Sequence, residues 1–525
     1  YAAAQVAPAS VDLIEAHGTG TVVGDRTELQ ALTNFMTDNG MEKGSCVIGS
    51  LKSQFGHTKC AAGMLGIVKA ALSINQGVLP PMAGLAHPSA VWRPDSSPFV
   101  FRDTPAPWAA NLESRVAGVS AFGFGGTNYH CVLTGQHATT RPLHDPRQPV
   151  LVALRGKTAA DARETATQAR RTLECDGDVE DVLETLSQHY SSTSEPVQFA
   201  FTFRTTNELS QLLEAAAGDA NHPALQRRSQ NSSEQSCLAI LFSGQGGRKV
   251  GMARDVLLRR PDLSWLVQDQ EELASNCFPA QRFTTEEMAQ DELDLTRTDR
   301  AQRLLAMAQM AGWMAFSELG ADASMLAGHS FGEIVALAAG GSMTSRTLYG
   351  LAKIRGEAMK NTGDGGAMTA IRAGADEVSS LLSKNSCPAI SIANINSASQ
   401  VVVGGPVEQI EAFERIAVDA QLNSRRLAVS AAFHTKQMEP SSSELAQRVA
   451  DMNITHPTTS VYRNRVGAPY DRDVDIIEEL ALQLQSPVNF EQMVRNMAED
   501  GANVFVEIGP GRILSGLVES ITGSE

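Results

Sequence analysis

The chain has 525 residues, 42% of them hydrophobic and 19% charged, with a formal net charge of −16. This length exceeds a single hydrophobic core and predicts about three or four domains, while the acidity disfavours nucleic acid or an anionic membrane as partner, since both favour a basic face. No apolar run approaches the ~18 residues of a spanning helix, and the opening YAAAQVAPASVDLIEAHG lacks the charged-then-apolar layout of a secretory leader.

In chain order, residues 1–134 are glycine-rich, with a helix predicted over 63–74 (GMLGIVKAALSI). The start reads as a chain entered in mid-domain. Residues 136–149 carry three prolines and mark a boundary. Over roughly 150–220 the pattern is β-α-α-β-α, a small α/β unit. A second polar boundary, 226–236, precedes LAILFSGQGG, a buried strand running into a glycine turn. ASMLAGHS then reads as strand and turn, and FGEIVALAAGG as the following helix. Residues 366–420 read β-α-β-β-α, the order of a split-βαβ insertion. The expected domains are 1–135, 136–235 and 236–525, with a small subdomain at about 366–430. Seven cysteines (46, 60, 131, 175, 237, 277, 387) form no C-x-x-C pair and no metal-ligand spacing with histidine. They read as buried reduced thiols in cytoplasm, with no metal bound.

AGHSFGE (327–333) contains G-x-S-x-G, the strand-turn-helix elbow that lifts a serine hydroxyl clear of the backbone. Hydrolases and acyl transferases both use it, so Ser330 is a candidate nucleophile of either kind. A serine needs a base from elsewhere in the fold. His434 in AAFHTKQM is the candidate, although no pattern alone selects it from eleven histidines. The backbone N–H groups of Phe331 and of Gln245, in the SGQGG turn, are candidate donors to a tetrahedral oxyanion.

Eight ordered motifs then resemble the acyltransferase domain of polyketide and fatty acid synthases, the malonyl-transferase family: FSGQGG (242–247), GHSFGE (328–333), LAKIRGEAM (351–359), GAMTAI (366–371), VVVGG (401–405), AFH (432–434), QLQSPVNF (483–490) and VFVEIGPGRIL (504–514). The resemblance implies an α/β-hydrolase-like large subdomain with a ferredoxin-like small one. It implies Ser330 as nucleophile, His434 as base, and the backbone carbonyl of Gln483 orienting the imidazole. Arg355 matches the family's substrate-binding arginine, and a guanidinium can grip a malonyl carboxylate through two parallel hydrogen bonds. AAFH resembles the family's malonyl-selective HAFH more than the methylmalonyl-selective YASH: Phe433 matches, while Ala431 departs.

EAHGTGT (15–21), GSLKSQFGHTKCAAG (49–63) and GVSAFGFGGTNYHCVL (118–133) resemble the C-terminal half of a β-ketoacyl synthase of thiolase fold. The resemblance implies that His17 and His57 form a decarboxylation and oxyanion site, that Lys52 supports it and that Phe124 gates the pocket. No TACSS-like nucleophile elbow occurs, and neither Cys46 nor Cys60 can inherit its role. The chain is expected to be a piece of a larger polypeptide, with residues 136–235 as the linker domain.

The resemblance thus implies a polyketide synthase acyltransferase that moves malonyl from coenzyme A, through an acyl-serine, to the phosphopantetheine thiol of an acyl carrier protein. The two other readings are a serine hydrolase and a non-catalytic scaffold. GHSFGE and AAFH hint at iterative synthases of enediyne or polyunsaturated type. Carrier proteins of the family tend to be acidic, as this chain is, so docking calls for a local basic patch. Arg425, Arg426, Arg463 and Arg465 are the candidates.

Overall fold

A computed structural model describes all residues except 124, 137–148, 176, 190–194, 219–220, 229–235, 269–270, 362–364, 430 and 524–525. Contacts divide the chain into two units, residues 1–138 with 236–525, and residues 139–235. The molecule is mixed α/β throughout, and no described helix is long and apolar enough to cross a membrane.

In the first unit, residues 1–134 build a five-stranded sheet. Leu13–Glu15 lies at its centre, parallel to Cys46–Gly49 and to Val116–Phe122; the latter turns back antiparallel into Asn128–Thr134. The helix predicted at 63–74 spans Ala62–Gln76 and ends at Gly77, whose φ of 67° is the left-handed stop that glycine accepts most easily. The same unit carries a sheet of four parallel strands in the order Ser460–Val461, Met325–Gly328, Leu238–Phe242, Val504–Ile508. Parallel strands covered on both faces read as unbroken apolar runs, as the inner strand LAILF does. The helix Thr298–Ser317 packs along the helix Ser345–Asn361 over a core that includes Leu304, Leu305, Leu348 and Leu351.

A second sheet closes over the elbow. Gly366–Ile371 pairs antiparallel with both Gln400–Pro406 and Ser424–Arg426, and Ser391–Ser397 lies beyond Gln400–Pro406. With helices Ala375–Lys384 and Val407–Asp419, this is a β-α-β-β-α-β ferredoxin-like layout, to which Ser424–Arg426 adds the last strand. The two halves of this unit are joined by side chains: Arg102 donates to the carbonyl of Phe278 at 3.0 Å, and Trp92, Phe101 and Phe283 pack edge to face.

In the second unit, Val150–Arg155, Val197–Phe203 and Gln226–Arg227 form an antiparallel sheet with three helices, Ala159–Glu174, Val179–His189 and Thr206–Ala217. Thr158 and Thr205 each close a reciprocal capping box, with Asp161 and Glu208 respectively. Gln226–Arg227 is strand rather than boundary loop, because its backbone pairs with Phe199 and Ala200.

Candidate functional site

The elbow is shaped by what its glycines exclude. A Cβ on Gly328 would lie 2.0 Å from the backbone of Gly332, and one on Gly332 would lie 2.0 Å from the carbonyl oxygen of Phe242. Only glycine at both places lets the helix Phe331–Ala339 start directly against the sheet, and Ser330 is left on the crest between them. Its φ of 54° is left-handed, a conformation that costs a non-glycine residue about 1–3 kcal/mol. Two hydrogen bonds hold it there: the Ser330 N–H donates to Asn464 Oδ1 at 2.6 Å, and Gln483 Nε2 donates to the Ser330 carbonyl at 3.0 Å.

His434 arrives from the AAFH segment with a φ of 61°, so it and Ser330 both have positive φ. Glycines again permit the approach. A Cβ on Gly366 would lie 2.3 Å from the Ala432 nitrogen, which is why GAMTAI begins as it does. His434 Nδ1 lies 2.9 Å from the Gln483 carbonyl, and Nε2 lies 2.7 Å from Ser330 Oγ. A carbonyl can only accept, so Nδ1 carries the proton and Nε2 is left with its lone pair toward the serine hydroxyl. Burial, then the neighbouring Arg355 charge, pushes the imidazole down to about 3, so it is neutral at physiological pH.

Arg355 projects from the helix Ser345–Asn361 and is 0% exposed. Nη2 donates to Gln483 Oε1 at 3.0 Å, whereas Nε and Nη1 are buried without a hydrogen-bond partner among the described residues. Its Cζ lies 6.0 Å from the Phe331 ring centroid. Burial lowers its pKa to about 10, partly countered by Glu333, and the group stays cationic. A buried guanidinium with unused donors is costly alone and suits an incoming anion.

The Gln245–Gly247 turn sits beside the elbow: a Cβ on Gly244 would lie 2.8 Å from the His329 carbonyl oxygen. Phe331 is the first residue of its helix, where backbone N–H groups lack intrahelical acceptors. Phe433 and Ala431 are both buried, 8% and 6% exposed, in the core shared with the large subdomain. The structure therefore brings Ser330, His434, Gln483 and Arg355 into one connected group, with Gln245, Phe331 and Phe433 around it.

Sequence reasoning missed two members of this group. Asn464 is 0% exposed; besides the Ser330 N–H it holds the Gly328 carbonyl through Nδ2 at 2.6 Å. Glu333, 1% exposed, accepts from Gln483 Nε2 at 2.6 Å, the Asn464 N–H at 3.0 Å and the Tyr470 hydroxyl. Glu333 is visible in GHSFGE, but its partners lie more than a hundred residues away. His329 belongs to the same motif; its Nε2 meets Asn396 Oδ1 at 2.9 Å, tying the elbow to the smaller sheet.

The histidines of the first 134 residues form a separate place. The His17 and His57 rings are 5.8 Å apart, edge to face. Glu28 accepts the His17 and Gly18 N–H groups at 2.7 and 2.9 Å and shapes the EAHGTGT loop. Lys52 begins a short helix, half-buried, with its pKa lowered chiefly by burial. The buried ion pair here is instead Lys69–Glu15, at 2.7 Å. Phe122, 5.3 Å from His17, is the ring in contact, and Phe124 lies outside the described residues.

Two expectations need correction. The cysteines are free but not uniformly buried: only Cys46 and Cys277 are, while Cys60, Cys131 and Cys175 are exposed. Three of the four arginines offered as a basic patch are occupied. Arg426 forks onto Glu414 at 2.8 Å twice, and Arg463 and Arg465 both face Glu479. Among the described residues no three His, Cys, Asp or Glu side chains gather as metal ligands would.

Residues 1–86 match the β-ketoacyl synthase C-terminal domain, and residues 96–217 the ketoacyl-synthetase C-terminal extension. A phenolphthiocerol/phthiocerol polyketide synthase from Mycobacterium tuberculosis is 29% identical over 98% of this chain and 35% of its own length. A polyunsaturated fatty acid synthase from a Thraustochytrium species is 30% identical over 99% of this chain and 20% of its own. The chain thus spans about a third or less of these curated relatives. Among solved structures, a malonyl CoA-acyl carrier protein transacylase from Clostridium perfringens aligns with a TM-score of 0.50 and 28% identity, over 55% of this chain and 91% of that one. Residues 240–521, more than half of the chain, match the acyl transferase domain, and the chain belongs to that family.

Proposed function

We propose that this chain loads a malonyl group from coenzyme A onto Ser330 and passes it to the phosphopantetheine thiol of an acyl carrier protein. The observation that carries the reading is Arg355, a wholly buried cation beside the serine–histidine pair with Nε and Nη1 unpaired. A monocarboxylic acyl chain would leave that charge uncompensated. A malonyl carboxylate satisfies it, and also offsets the Arg355 charge that, after burial, holds His434 down.

Each half-reaction is a proton-coupled acyl transfer. Ser330 Oγ attacks the thioester carbon as its proton passes to His434 Nε2. The tetrahedral oxyanion is received by the N–H groups of Phe331 and Gln245. Collapse breaks the C–S bond, and the departing thiolate takes the proton from Nε2. The carrier thiol then gives its proton to Nε2, attacks the acyl-serine and releases Oγ, which recovers the proton. The Gln483 carbonyl orients the ring and holds the proton on Nδ1 throughout, where a hydrolase would commonly place a carboxylate.

Phe433, buried against the same core, is proposed to limit room for an α-methyl group, with Ala431 as the neighbouring space; malonyl then loads ahead of methylmalonyl. Condensation is not proposed for the chain itself: Cys46 is a buried strand residue and Cys60 is exposed in the turn after His57. We read the protein as cytoplasmic and as one part of a polyketide synthase, with no metal in the reaction.

Incubation with radiolabelled malonyl-CoA followed by peptide mass spectrometry tests the reading. A malonyl ester on Ser330 that persists until carrier protein is added is expected. Prompt release of free malonate would make the chain a hydrolase instead, and absence of any adduct would leave a scaffold.

A further inference from the structure

A buried arginine that is to receive a substrate carboxylate poses a difficulty. It needs a counter-charge to remain folded and charged, yet a direct ion pair would occupy the donors that the substrate requires. Among the described residues Arg355 has no direct ion-pair partner. The nearest arrangement of opposite charge runs through one amide: Arg355 Nη2 donates to Gln483 Oε1 at 3.0 Å, and Gln483 Nε2 donates to Glu333 Oε2 at 2.6 Å. All three side chains are essentially inaccessible to solvent.

The direction of that amide is dictated by Glu333. A carboxylate only accepts, so the Gln483 NH2 must face it, and the amide oxygen must then face Arg355. The Tyr470 hydroxyl and the Asn464 N–H also donate to Glu333, so its two oxygens are committed to donors. The same NH2 reaches the Ser330 carbonyl, while the Gln483 backbone carbonyl holds His434. We propose that Glu333, acting through the Gln483 amide, is the remote counter-charge and positioning residue of Arg355 and so sets the preference for acyl groups that bear a carboxylate. The proposal rests on the malonyl reading above. Burial raises the pKa of Glu333 to about 7 while the Tyr470, Gln483 and Asn464 donors oppose that rise, so the counter-charge is fully present only above about pH 7.

The test is the ratio of malonyl to acetyl loading on Ser330 from an equimolar mixture of the two coenzyme A thioesters, read by mass spectrometry. Glu333→Gln keeps the shape but offers only one accepting oxygen to three donors and adds an NH2 of its own, which lets the Gln483 amide turn its oxygen toward that NH2 and away from Arg355. The ratio is expected to fall about tenfold, through a higher KM for malonyl-CoA, the loss of one hydrogen bond to a charged group. Glu333→Asp keeps the anion one methylene short and should recover part of the ratio. Labelling by a fluorophosphonate, which needs Ser330 and His434 but no carboxylate pocket, reports that the variant is folded. An unchanged ratio in labelled Glu333→Gln overturns the proposal. Should that variant fail to label, Tyr470→Phe, which removes one donor from Glu333, is expected to lower the ratio two- to threefold, and no change there overturns it. Arg355→Ala separates the two ideas: if it too leaves the ratio intact, the malonyl reading fails, and if it alone collapses the ratio, only the role of Glu333 fails.

Discussion

The two histidine sites of this chain use the same side chain in opposite senses. His434 has its Nδ1 against a carbonyl, so the proton sits on Nδ1 and Nε2 is an acceptor toward Ser330 Oγ. His17 and His57 each accept a backbone N–H at Nδ1, from Phe122 at 3.3 Å and Lys59 at 3.1 Å. Their neutral forms therefore carry the proton on Nε2, which makes them donors. His434 is buried and hydrogen-bonded to Ser330, whereas His57 is exposed and 5.8 Å, ring to ring, from His17. The backbone group behind the ring sets the tautomer: a carbonyl at Nδ1 leaves Nε2 as an acceptor, an N–H at Nδ1 leaves Nε2 as a donor.

The largest expected effect breaks the first site outright. Ser330→Ala should abolish the acyl adduct, and His434→Ala should slow acylation by roughly 10²–10⁴, the usual range for a general base. Intact-mass kinetics with malonyl-CoA measures both. If His434→Ala acylates within tenfold of the parent, the 2.7 Å contact with Ser330 Oγ is not the productive one.

Arg355→Ala comes next. Loss of a forked, charge-assisted contact corresponds to about ten- to a hundredfold in malonyl loading, with a much smaller change for acetyl. Equal losses for both acyl groups would take the guanidinium out of the substrate pocket.

Stability against pH sharpens the contrast further. His434 has its folded pKa pushed from 6.5 down to about 3, by burial first and Arg355 second. The unfolded chain takes up this proton near 6.5 and the folded chain refuses it, so stability drains away as pH falls from about 6.5 toward 3. Glu333 works in the opposite direction: raised by burial from 4.5 to about 7, it contributes stability that is present below 4.5 and lost as pH rises through 7. In His434→Ala the loss between pH 6.5 and 3 should shrink, seen as a flatter dependence of Tm on pH. A variant with the parent's slope would mean that the imidazole titrates freely in the fold.

How much of this was legible depends on how local each signal was. The elbow was readable because G-x-S-x-G is a contact between residues close in sequence, enforced by the 2.0 Å approaches at Gly328 and Gly332. The strands and helices around it were readable from periodicity, and so was the β-α-β-β-α order after residue 366. His434 was reached only through family resemblance, because nothing within AAFH points toward a serine 104 residues away. Asn464 and the Gln483 amide were not legible at all. Both are buried polar side chains whose partners come from several separate segments, and a sequence presents them as ordinary surface types. Arg463 and Arg465 looked like free surface charge for the same reason, since Glu479 that occupies them sits on a separate helix further along the chain.

The smallest expected effect is the one that keeps the two sites apart. A His17→Ala, His57→Ala double variant should load malonyl onto Ser330 at the parent's rate, within about twofold, because no hydrogen bond among the described residues links that pair to the network of Ser330, His434, Gln483, Glu333 and Arg355. Residues of the first 134 do touch the acyltransferase region, through Arg102 on Phe278 and the rings of Trp92, Phe101 and Phe283. Those contacts lie on loop and edge positions rather than on the helix that carries Arg355 or the segment that carries His434, and substitutions at exposed His57 and half-buried His17 leave them intact. A fall of tenfold or more in loading, with Tm unchanged, would require a coupling path through these contacts and would end the view of two independent sites.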